Sequence, residues 1–123
     1  KDLPAQTSLS YGRLHTLRRD SRIGIISAGY GDAIPLHCGN QASALIRGTS
    51  YPIVGRVTMD QTLIDLTDAP LDLTNGEVVT LIGEQNGNKI PLETLALHGK
   101  TIPWELLCSI TKRVPRIYLT KRE

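Results

Sequence analysis

Two of the four tyrosines lie directly beside glycine, Tyr11 in a Ser-Tyr-Gly motif and Tyr30 in a Gly-Tyr-Gly-Asp motif. A neighbouring glycine permits a sharp turn and a close approach of two backbones, so it can present a phenol at the rim of a domain instead of in its core. A phenol at a rim can donate or accept a proton, which makes both residues candidates for acid–base chemistry or ligand contact. A packing role, with the hydroxyl hydrogen-bonded, is the commoner alternative for a tyrosine beside a glycine.

A second unusual pair is Met59-Asp60, in which the only methionine precedes an aspartate at the predicted start of a strand. Taken alone, this pair is typical of a bulge or a turn.

Other patterns that carry chemistry are missing from the sequence. The three histidines are scattered without metal-ligand spacing, and His37 and Cys38 would point apart as neighbours in an extended strand, so we predict no metal site. The glycine-rich stretch 28–36 is not followed by a predicted helix that could bind phosphate, and no Gly-x-Ser-x-Gly motif presents a serine nucleophile.

Length and charge exclude several classes of protein. The chain has 123 residues, 40% of them hydrophobic, with 14 Lys and Arg against 12 Asp and Glu and a net charge of +2. This composition predicts a single globular domain over residues 1–123, and it offers no basic stripe for a nucleic acid.

The two cysteines, Cys38 and Cys108, lie far apart and favour a reducing, cytoplasmic setting. No apolar run approaches the ~20 residues that span a bilayer, so no membrane partner is expected.

Short segments rich in Ile, Val, Leu and Thr, separated by turn residues, predict a mainly β domain. The Asn-Gly pairs at 75–76 and 86–87 favour two-residue hairpin turns, because Asn-Gly supplies the positive φ that these turns need. We expect a small closed or nearly closed β-barrel-like domain. Its predicted strands are residues 22–29, 43–48, 51–57, 62–67, 77–83 and 116–120, with a less regular seventh over residues 7–12.

Two stretches near the C-terminus break the β pattern and predict short helices. After Pro91, apolar residues recur at helical spacing up to Gly99, which is typical of a two-turn helix with a left-handed C-terminal cap. The second helix is expected to begin with Thr101 as its N-cap and Pro103 in its first turn. The predicted apolar faces are Leu92, Leu95 and Ala96 in the first helix and Trp104, Leu107 and Cys108 in the second.

Six segments together resemble, in order and spacing, the C-terminal domain of alanine racemases, and the resemblance covers nearly the whole chain. The most specific part is Gly-Arg-x-x-Met-Asp-Gln at 55–61 combined with Arg-Val-Pro-Arg at 113–116. Members of this family are pyridoxal-phosphate enzymes with an N-terminal (β/α)₈ barrel followed by a mostly β domain, so we expect the barrel to be absent from this chain. The matching segments are residues 10–12, 29–32, 52–61, 75–83, 101–105 and 113–118.

The resemblance implies a reaction that needs two bases on opposite faces of the substrate α-carbon, while pyridoxal phosphate accepts its electrons. In this family the barrel binds most of the cofactor and supplies one base, a lysine. The second base is the tyrosine of the Ser-Tyr-Gly motif, Tyr11 here, which the other subunit of a homodimer supplies. Tyr11 would need positive or hydrogen-bonding neighbours from the barrel, because a free phenol has a pKa of about 10. Neither cofactor binding nor racemisation is expected of this chain alone.

The resemblance also implies residues that contact the substrate, alanine. Tyr30 matches the family residue that narrows the substrate entrance, and Met59 with Asp60 matches the segment whose backbone meets the substrate carboxylate. Trp104 stands where many members have a tyrosine that reaches the cofactor phosphate; its indole N–H can donate, and a core anchor for the last helix is the alternative. Leu36 stands where arginine is common, so the shape and charge of the entrance would differ.

Two alternatives to an alanine racemase domain stay open. A stand-alone binding or scaffold module would keep the fold without the enzyme, although it would have no use for a phenol at a rim. Racemisation of serine or other amino acids is also open, because one hydroxyl changes the substrate volume little. If the domain completes a neighbouring active site, Tyr11, Tyr30 and Met59-Asp60 should lie on one face.

Overall fold

The computed structural model describes residues 1–121, with the exception of the Tyr11 side chain. Ten short strands and two α-helices within this range confirm a mainly β fold with two helices near the C-terminus. None of these helices is long and apolar enough to cross a membrane. The elements are Asp2–Leu3 (β1), Ser8–Leu9 (β2), His15–Thr16 (β3), Ser21–Ile26 (β4), Ser43–Ile46 (β5), Thr49–Val54 (β6), Thr62–Asp65 (β7), Val79–Thr80 (β8), Gly83–Gln85 (β9), Asn88–Ile90 (β10), Leu92–His98 (α1) and Pro103–Cys108 (α2).

Six of the strands form one antiparallel sheet in the order β1-β4-β7-β6-β5-β8. In its register Ile53 lies opposite Ile64, and Ala44 lies opposite Tyr51. Strands β9 and β10 form a two-stranded sheet, and β2 and β3 form another. Among the described residues these sheets do not close into a ring, so the expected barrel describes the fold only approximately.

The two helices cover the core next to the sheet. Leu95 and Ala96 of α1 and Leu106 of α2 pack with Ile53 and Val57, and all five side chains are at most 2% exposed. Burying a leucine stabilises the fold by about 1.5–3 kcal/mol. This packing fixes the helices beside the segment that follows β6.

The four central strands predicted from the sequence are confirmed; each begins within two residues of the predicted start and ends two or three residues before the predicted end. Two other predicted strands are shorter than expected. Of residues 77–83 only β8 pairs with the large sheet, because the chain bends at 81–82 and Gly83 has a φ of 106°. Of residues 7–12 only β2 is extended, because a 3₁₀ turn at Tyr11–Arg13 follows it.

The predicted strand over residues 116–120 is wrong. Within the described residues this segment has no strand partner, and its three apolar side chains are exposed. The Arg116 guanidinium instead donates to the carbonyls of Ile110, Thr111 and Val114, at 2.9, 3.1 and 2.9 Å. These bonds fold the start of the segment back on the chain that precedes it.

Of the two predicted hairpin turns, the one at Asn86-Gly87 is confirmed. It joins β9 to β10, with φ values of 47° and 83° at its central residues, as the favoured two-residue turn requires. Asn75-Gly76 also forms a turn, but the residues before it are not a strand in the structure. It therefore closes no hairpin.

Both predicted helices are confirmed, but their caps differ from the prediction. Gly99 ends α1 with a φ of −80°, and the left-handed conformation occurs one residue later, at Lys100 with a φ of 55°. The N-cap of α2 is Ile102 and not Thr101, whose buried hydroxyl has no hydrogen-bond partner among the described residues. Pro103 occupies the first turn of α2 as expected.

The predicted buried face of α2 is also wrong. Leu106 is the residue that enters the core, whereas Trp104 is 73% exposed and Leu107 and Cys108 are exposed with it. A helix of six residues can present only a narrow stripe to the core, and here Leu106 fills it. The core-anchor alternative for Trp104 is therefore excluded.

Candidate functional site

The Tyr30 and Met59 motifs are joined backbone to backbone. The Tyr30 N–H donates to the Thr58 carbonyl at 2.9 Å, and the Gly31 N–H donates to the Met59 carbonyl at 2.8 Å. Gly29 makes this approach possible, because a β-carbon there would clash with the Thr58 carbonyl oxygen and lie 2.6 Å from the Met59 carbonyl carbon. The glycines beside Tyr30 therefore serve a close backbone approach, as the sequence indicated.

Residues 29–32 and 58–61 form one surface, which we call the rim. Tyr30 is 53% exposed and Met59 is 52% exposed, although both are large apolar side chains. Asp60 is exposed next to Met59. The rim thus presents two of the predicted substrate-contacting motifs together, at an open surface.

A tight turn holds Met59 and Asp60 at its tip. The Thr58 N–H and hydroxyl both donate to the Gln61 carbonyl, at 3.0 and 3.1 Å, and the Gln61 N–H donates back to the Thr58 hydroxyl at 3.1 Å. Because the two ends of the turn are bonded to each other, the backbone between them is fixed relative to β7.

The other half of the rim is held by the C-terminal segment. One oxygen of Asp32 accepts from the Gly29 N–H at 3.1 Å, and the other lies 3.3 Å from Nε of Arg113. The Thr111 hydroxyl donates to the Gly31 carbonyl at 2.8 Å. The Asp32 side chain is largely buried, so this pair is better shielded than an ion pair on an open surface.

Tyr11 belongs to the 3₁₀ turn Tyr11–Arg13, and its side chain lies outside the described part of the structure. Its neighbour Ser10 accepts a hydrogen bond from the Arg56 N–H at 2.9 Å. Since Arg56 lies three positions before Met59, the segment carrying Tyr11 starts beside the chain that leads into the rim. A common face for Tyr11 and the rim stays a prediction.

One groove opens beside the rim, and a second opens at Gly55 and Arg56, which precede the rim residues 58–61 in the chain. One, of ≈ 370 Å³, is lined by Tyr30 together with Leu106 of α2, the helix that also carries the exposed Trp104. The other, of ≈ 530 Å³, is lined by Leu36 and Arg56 among others. Leu36 is thus an exposed apolar side chain at the surface of an open groove.

The buried cysteine is not a reactive group. The Cys38 thiol lies 3.8 Å from the Leu95 carbonyl, and burial raises the pKa of the thiol to about 11. It is therefore protonated at neutral pH, whereas a nucleophile or metal ligand must be a thiolate. Within residues 1–121, no group of three or more His, Cys, Asp and Glu is placed to hold a metal ion.

Comparison with known proteins identifies the family. The family model for the alanine racemase C-terminal domain matches residues 1–118. Alanine racemase 2 of Caldanaerobacter subterraneus subsp. tengcongensis is 42% identical over 123 residues, which are 100% of this chain and 31% of that protein. The chain belongs to the alanine racemase C-terminal domain family, and it spans about a third of the length of this relative.

Solved structures agree in fold. Alanine racemase from Bartonella henselae with covalently bound pyridoxal phosphate has a TM-score of 0.88 and 34% identity, over 97% of this chain and 32% of that chain. Alanine racemase from Bacillus anthracis with bound L-Ala-P has a TM-score of 0.88 and 33% identity, over 98% of this chain and 30% of that chain. The family and fold expected from the motifs are confirmed.

Four residues that hold the site together were not among the predicted site residues: Ser10, Asp32, Asn40 and Thr111. Ser10, Asn40 and Thr111 each bond to the backbone of a segment distant in sequence, and Asp32 forms an ion pair with the distant Arg113. Such contacts leave no spacing pattern in the sequence. The only sequence signal that could have identified any of them is membership of a tyrosine motif, and only Ser10 and Asp32 have it.

Proposed function

We propose that this chain is the C-terminal domain of a pyridoxal-phosphate-dependent alanine racemase, an isomerase that interconverts L- and D-alanine. In this proposal the domain completes the active site of the partner subunit in a homodimer. The observation that supports it most directly is the docking of the Tyr30 motif on the Met59 motif, which places two family motifs on one exposed rim. Alanine is proposed as the substrate because the relatives are alanine racemases.

An N-terminal (β/α)₈ barrel is proposed to hold the cofactor. A lysine that binds pyridoxal phosphate covalently must be activated by desolvation or by a neighbouring cation. The chain's own lysines are all exposed, so they do not fit this role. When bound in the barrel, the cofactor supplies a sink for the electron pair left on the α-carbon. The lysines in question are Lys1, Lys89, Lys100, Lys112 and Lys121.

Tyr11 is proposed as the base on one face of the substrate α-carbon. Its phenol oxygen takes the α-proton of one enantiomer and returns a proton when that enantiomer is formed from the other. A lysine of the barrel acts on the opposite face, so removal on one face and delivery on the other inverts the carbon. Groups of the barrel near Tyr11 must favour its ionised form for this exchange to run near neutral pH.

The rim is proposed to receive the substrate carboxylate and to limit access. Backbone N–H groups at the tip of the Met59-Asp60 turn can satisfy an anion without a positive side chain. Tyr30 projects beside this turn and narrows the entrance. The indole N–H of Trp104 is proposed as a donor to the cofactor phosphate, which its exposure allows.

The cytoplasm is the proposed location of the enzyme. Within the described residues both Cys38, which is buried, and Cys108, which is exposed, are free thiols. An exposed free thiol is stable against oxidation in a reducing compartment.

Mixing two inactive variants of the full-length enzyme tests the proposal. One carries Tyr11→Phe, and the other lacks the cofactor-binding lysine of the barrel. If Tyr11 acts in the partner's site, a hybrid dimer contains one site with both bases intact, so each hybrid dimer should have about half the wild-type activity, and a randomly exchanged equal mixture about a quarter. If no activity returns although hybrid dimers form, Tyr11 does not serve the partner subunit.

The 123-residue chain alone is expected neither to bind pyridoxal phosphate tightly nor to racemise alanine. The physical reason is that its lysines are exposed and thus poor nucleophiles for the cofactor. The measurement is visible absorbance after incubation with the cofactor and dialysis, with the full-length enzyme as the positive control. A cofactor band that survives dialysis of the chain alone would contradict this expectation.

A further inference from the structure

The segment that carries Tyr11 is tied at its start to the residues that follow β6. The Arg56 N–H donates to the Ser10 hydroxyl at 2.9 Å. The same hydroxyl lies against Gly55, and it can do so because Gly55 has no side chain. A β-carbon at Gly55 would clash with the Ser10 oxygen. Ser10 is therefore held against the Gly55-Arg56 pair, directly before Tyr11 in the chain.

The end of the segment is tied to the same place by Asn40. The Asn40 side chain donates through Nδ2 to the Leu14 carbonyl at 3.0 Å, and its Oδ1 accepts from the Gly55 N–H at 2.7 Å. One amide supplies both the donor and the acceptor, which a carboxylate or a methyl group cannot do. Both ends of the stretch from Ser10 to Leu14 are thus held to the backbone of Gly55 and Arg56, the Leu14 end through the Asn40 side chain.

Three residues of this stretch are held at positive φ, and the ψ of 171° at Ser10 places it in a region that non-glycine residues rarely adopt. The φ values are 68° at Ser10, 76° at Gly12 and 51° at Arg13. This conformation costs a non-glycine residue roughly 1–2 kcal/mol, so the segment would relax to other conformations if it were free. Backbone strain of this kind persists where the surrounding contacts hold it, and it is concentrated at functional sites.

We infer that Asn40, together with Ser10, is a positioning residue that fixes Tyr11 for proton transfer. The inference rests on the proposed function, in which Tyr11 is the base on one face of the substrate. A base must lie within hydrogen-bond reach of the proton that it takes, and a misplacement of about 1 Å can lower the rate by about 10²-fold. Asn40 acts through the backbone at Leu14 and Gly55.

The experiment compares Asn40 variants of the full-length enzyme with its cofactor. Asn40→Ala removes both hydrogen bonds and is expected to lower kcat by about 10- to 100-fold, with a much smaller change in KM for alanine. Asn40→Asp keeps the acceptor for Gly55 and loses the donor to Leu14, so its kcat should lie between the values of the wild-type enzyme and of Asn40→Ala. The matched control is Asn88→Ala, which removes an asparagine bond to the Gly48 carbonyl and should keep the wild-type rate.

Isotope effects separate a misplaced Tyr11 from a general loss of structure. For the enantiomer whose α-proton Tyr11 removes, slower transfer should raise the α-deuterium isotope effect, because that step then limits the rate. For the other enantiomer the lysine removes the proton and delivery by Tyr11 becomes slow. The α-deuterium isotope effect for this enantiomer should fall, because proton removal no longer limits the rate. In deuterated solvent, deuterium should enter the unreacted substrate before the substrate is converted to the other enantiomer. A purely structural defect would lower both rates without these opposite changes.

Tyr11→Phe in the same assay distinguishes failure of the inference from failure of the proposed function. If Tyr11→Phe stays within a few-fold of the wild-type rate, the role that the proposed function gives to Tyr11 is wrong. If Tyr11→Phe loses activity but Asn40→Ala behaves like Asn88→Ala, or slows both directions without opposite isotope effects, the positioning role is overturned. Should thermal unfolding show that Asn40→Ala does not fold, the same criteria apply to Asn40→Asp.

Discussion

Replacing Tyr11 by phenylalanine in the full-length enzyme is expected to lower kcat by about 10²–10⁴-fold in both directions, the range for loss of a general acid–base group. Phenylalanine keeps the ring and removes only the proton carrier. Both directions suffer, because one needs Tyr11 to take the α-proton and the other needs it to return a proton. The absorbance of the bound cofactor should stay unchanged, since the proposal gives the hydroxyl no part in holding it.

The matched control for this prediction is Tyr118→Phe. Tyr118 is 89% exposed in the C-terminal segment, so its hydroxyl should be dispensable and the rate should stay at the wild-type value. Steady-state measurement of both enantiomers provides the comparison. A Tyr11→Phe enzyme that retains rates within a few-fold of wild type would show that another residue is the second base.

The central strands could be predicted because their own side chains decide where they lie. Ile23 in β4 and Ile64 in β7 are buried while their neighbours in each strand are less so, and the richness of both segments in Ile, Leu and Thr or Ser is visible in the sequence. Residues 116–120 have a similar composition but are exposed and unpaired within the described structure. A strand also needs a free edge to pair with, and no segment carries that information by itself.

The short helix α2 shows why periodicity failed to choose its buried face. Apolar side chains stand on more than one side of it, with Trp104 and Leu107 on one side and Leu106 on another. Tertiary packing buries Leu106 and leaves the larger tryptophan exposed. Exposed apolar surface of this kind is expected where a further domain packs, which agrees with a chain that spans about a third of its relative.

The candidate site could be predicted in part. The glycines beside Tyr30 indicated a close backbone approach, and the structure provides one. The partner of that approach, Thr58, could not be inferred, because the contact depends on how β4 and β7 pair in the sheet. Asn40 was missed for the same reason, since its two partners become neighbours only in the folded chain.

Gly29→Ala is expected to destabilise the domain and to disrupt the rim. A β-carbon at residue 29 would clash with the Thr58 carbonyl oxygen and lie 2.7 Å from the Asp60 nitrogen, and backbone atoms cannot rotate away. The φ of Gly29 is −149°, which any residue adopts, so the cost is steric alone. Overpacking costs about 1–3 kcal/mol, and we expect the upper end here. In thermal unfolding of the chain this corresponds to a fall in Tm of about 10 °C.

A glycine with open surroundings provides the control for backbone strain. A β-carbon at Gly76 would meet nothing within 4 Å, but the residue has a φ of 91°. Gly76→Ala should therefore cost only the conformational penalty, about 1–2 kcal/mol, and leave KM for alanine unchanged in the full-length enzyme.

Gly31, the second glycine in the rim, allows a smaller steric clash to be compared with the one at Gly29. A β-carbon at Gly31 would lie 2.7 Å from Nη1 of Arg113, the mobile end of a long side chain, and 2.9 Å from the Met59 carbonyl oxygen. Gly31→Ala should thus cost less stability than Gly29→Ala, where only backbone atoms are in the way. Both variants should raise KM for alanine, because each pushes Tyr30 away from the Met59 turn. Equal Tm losses for Gly29→Ala and Gly76→Ala, with KM unchanged in each, would mean that neither the fold nor the site depends on this close approach.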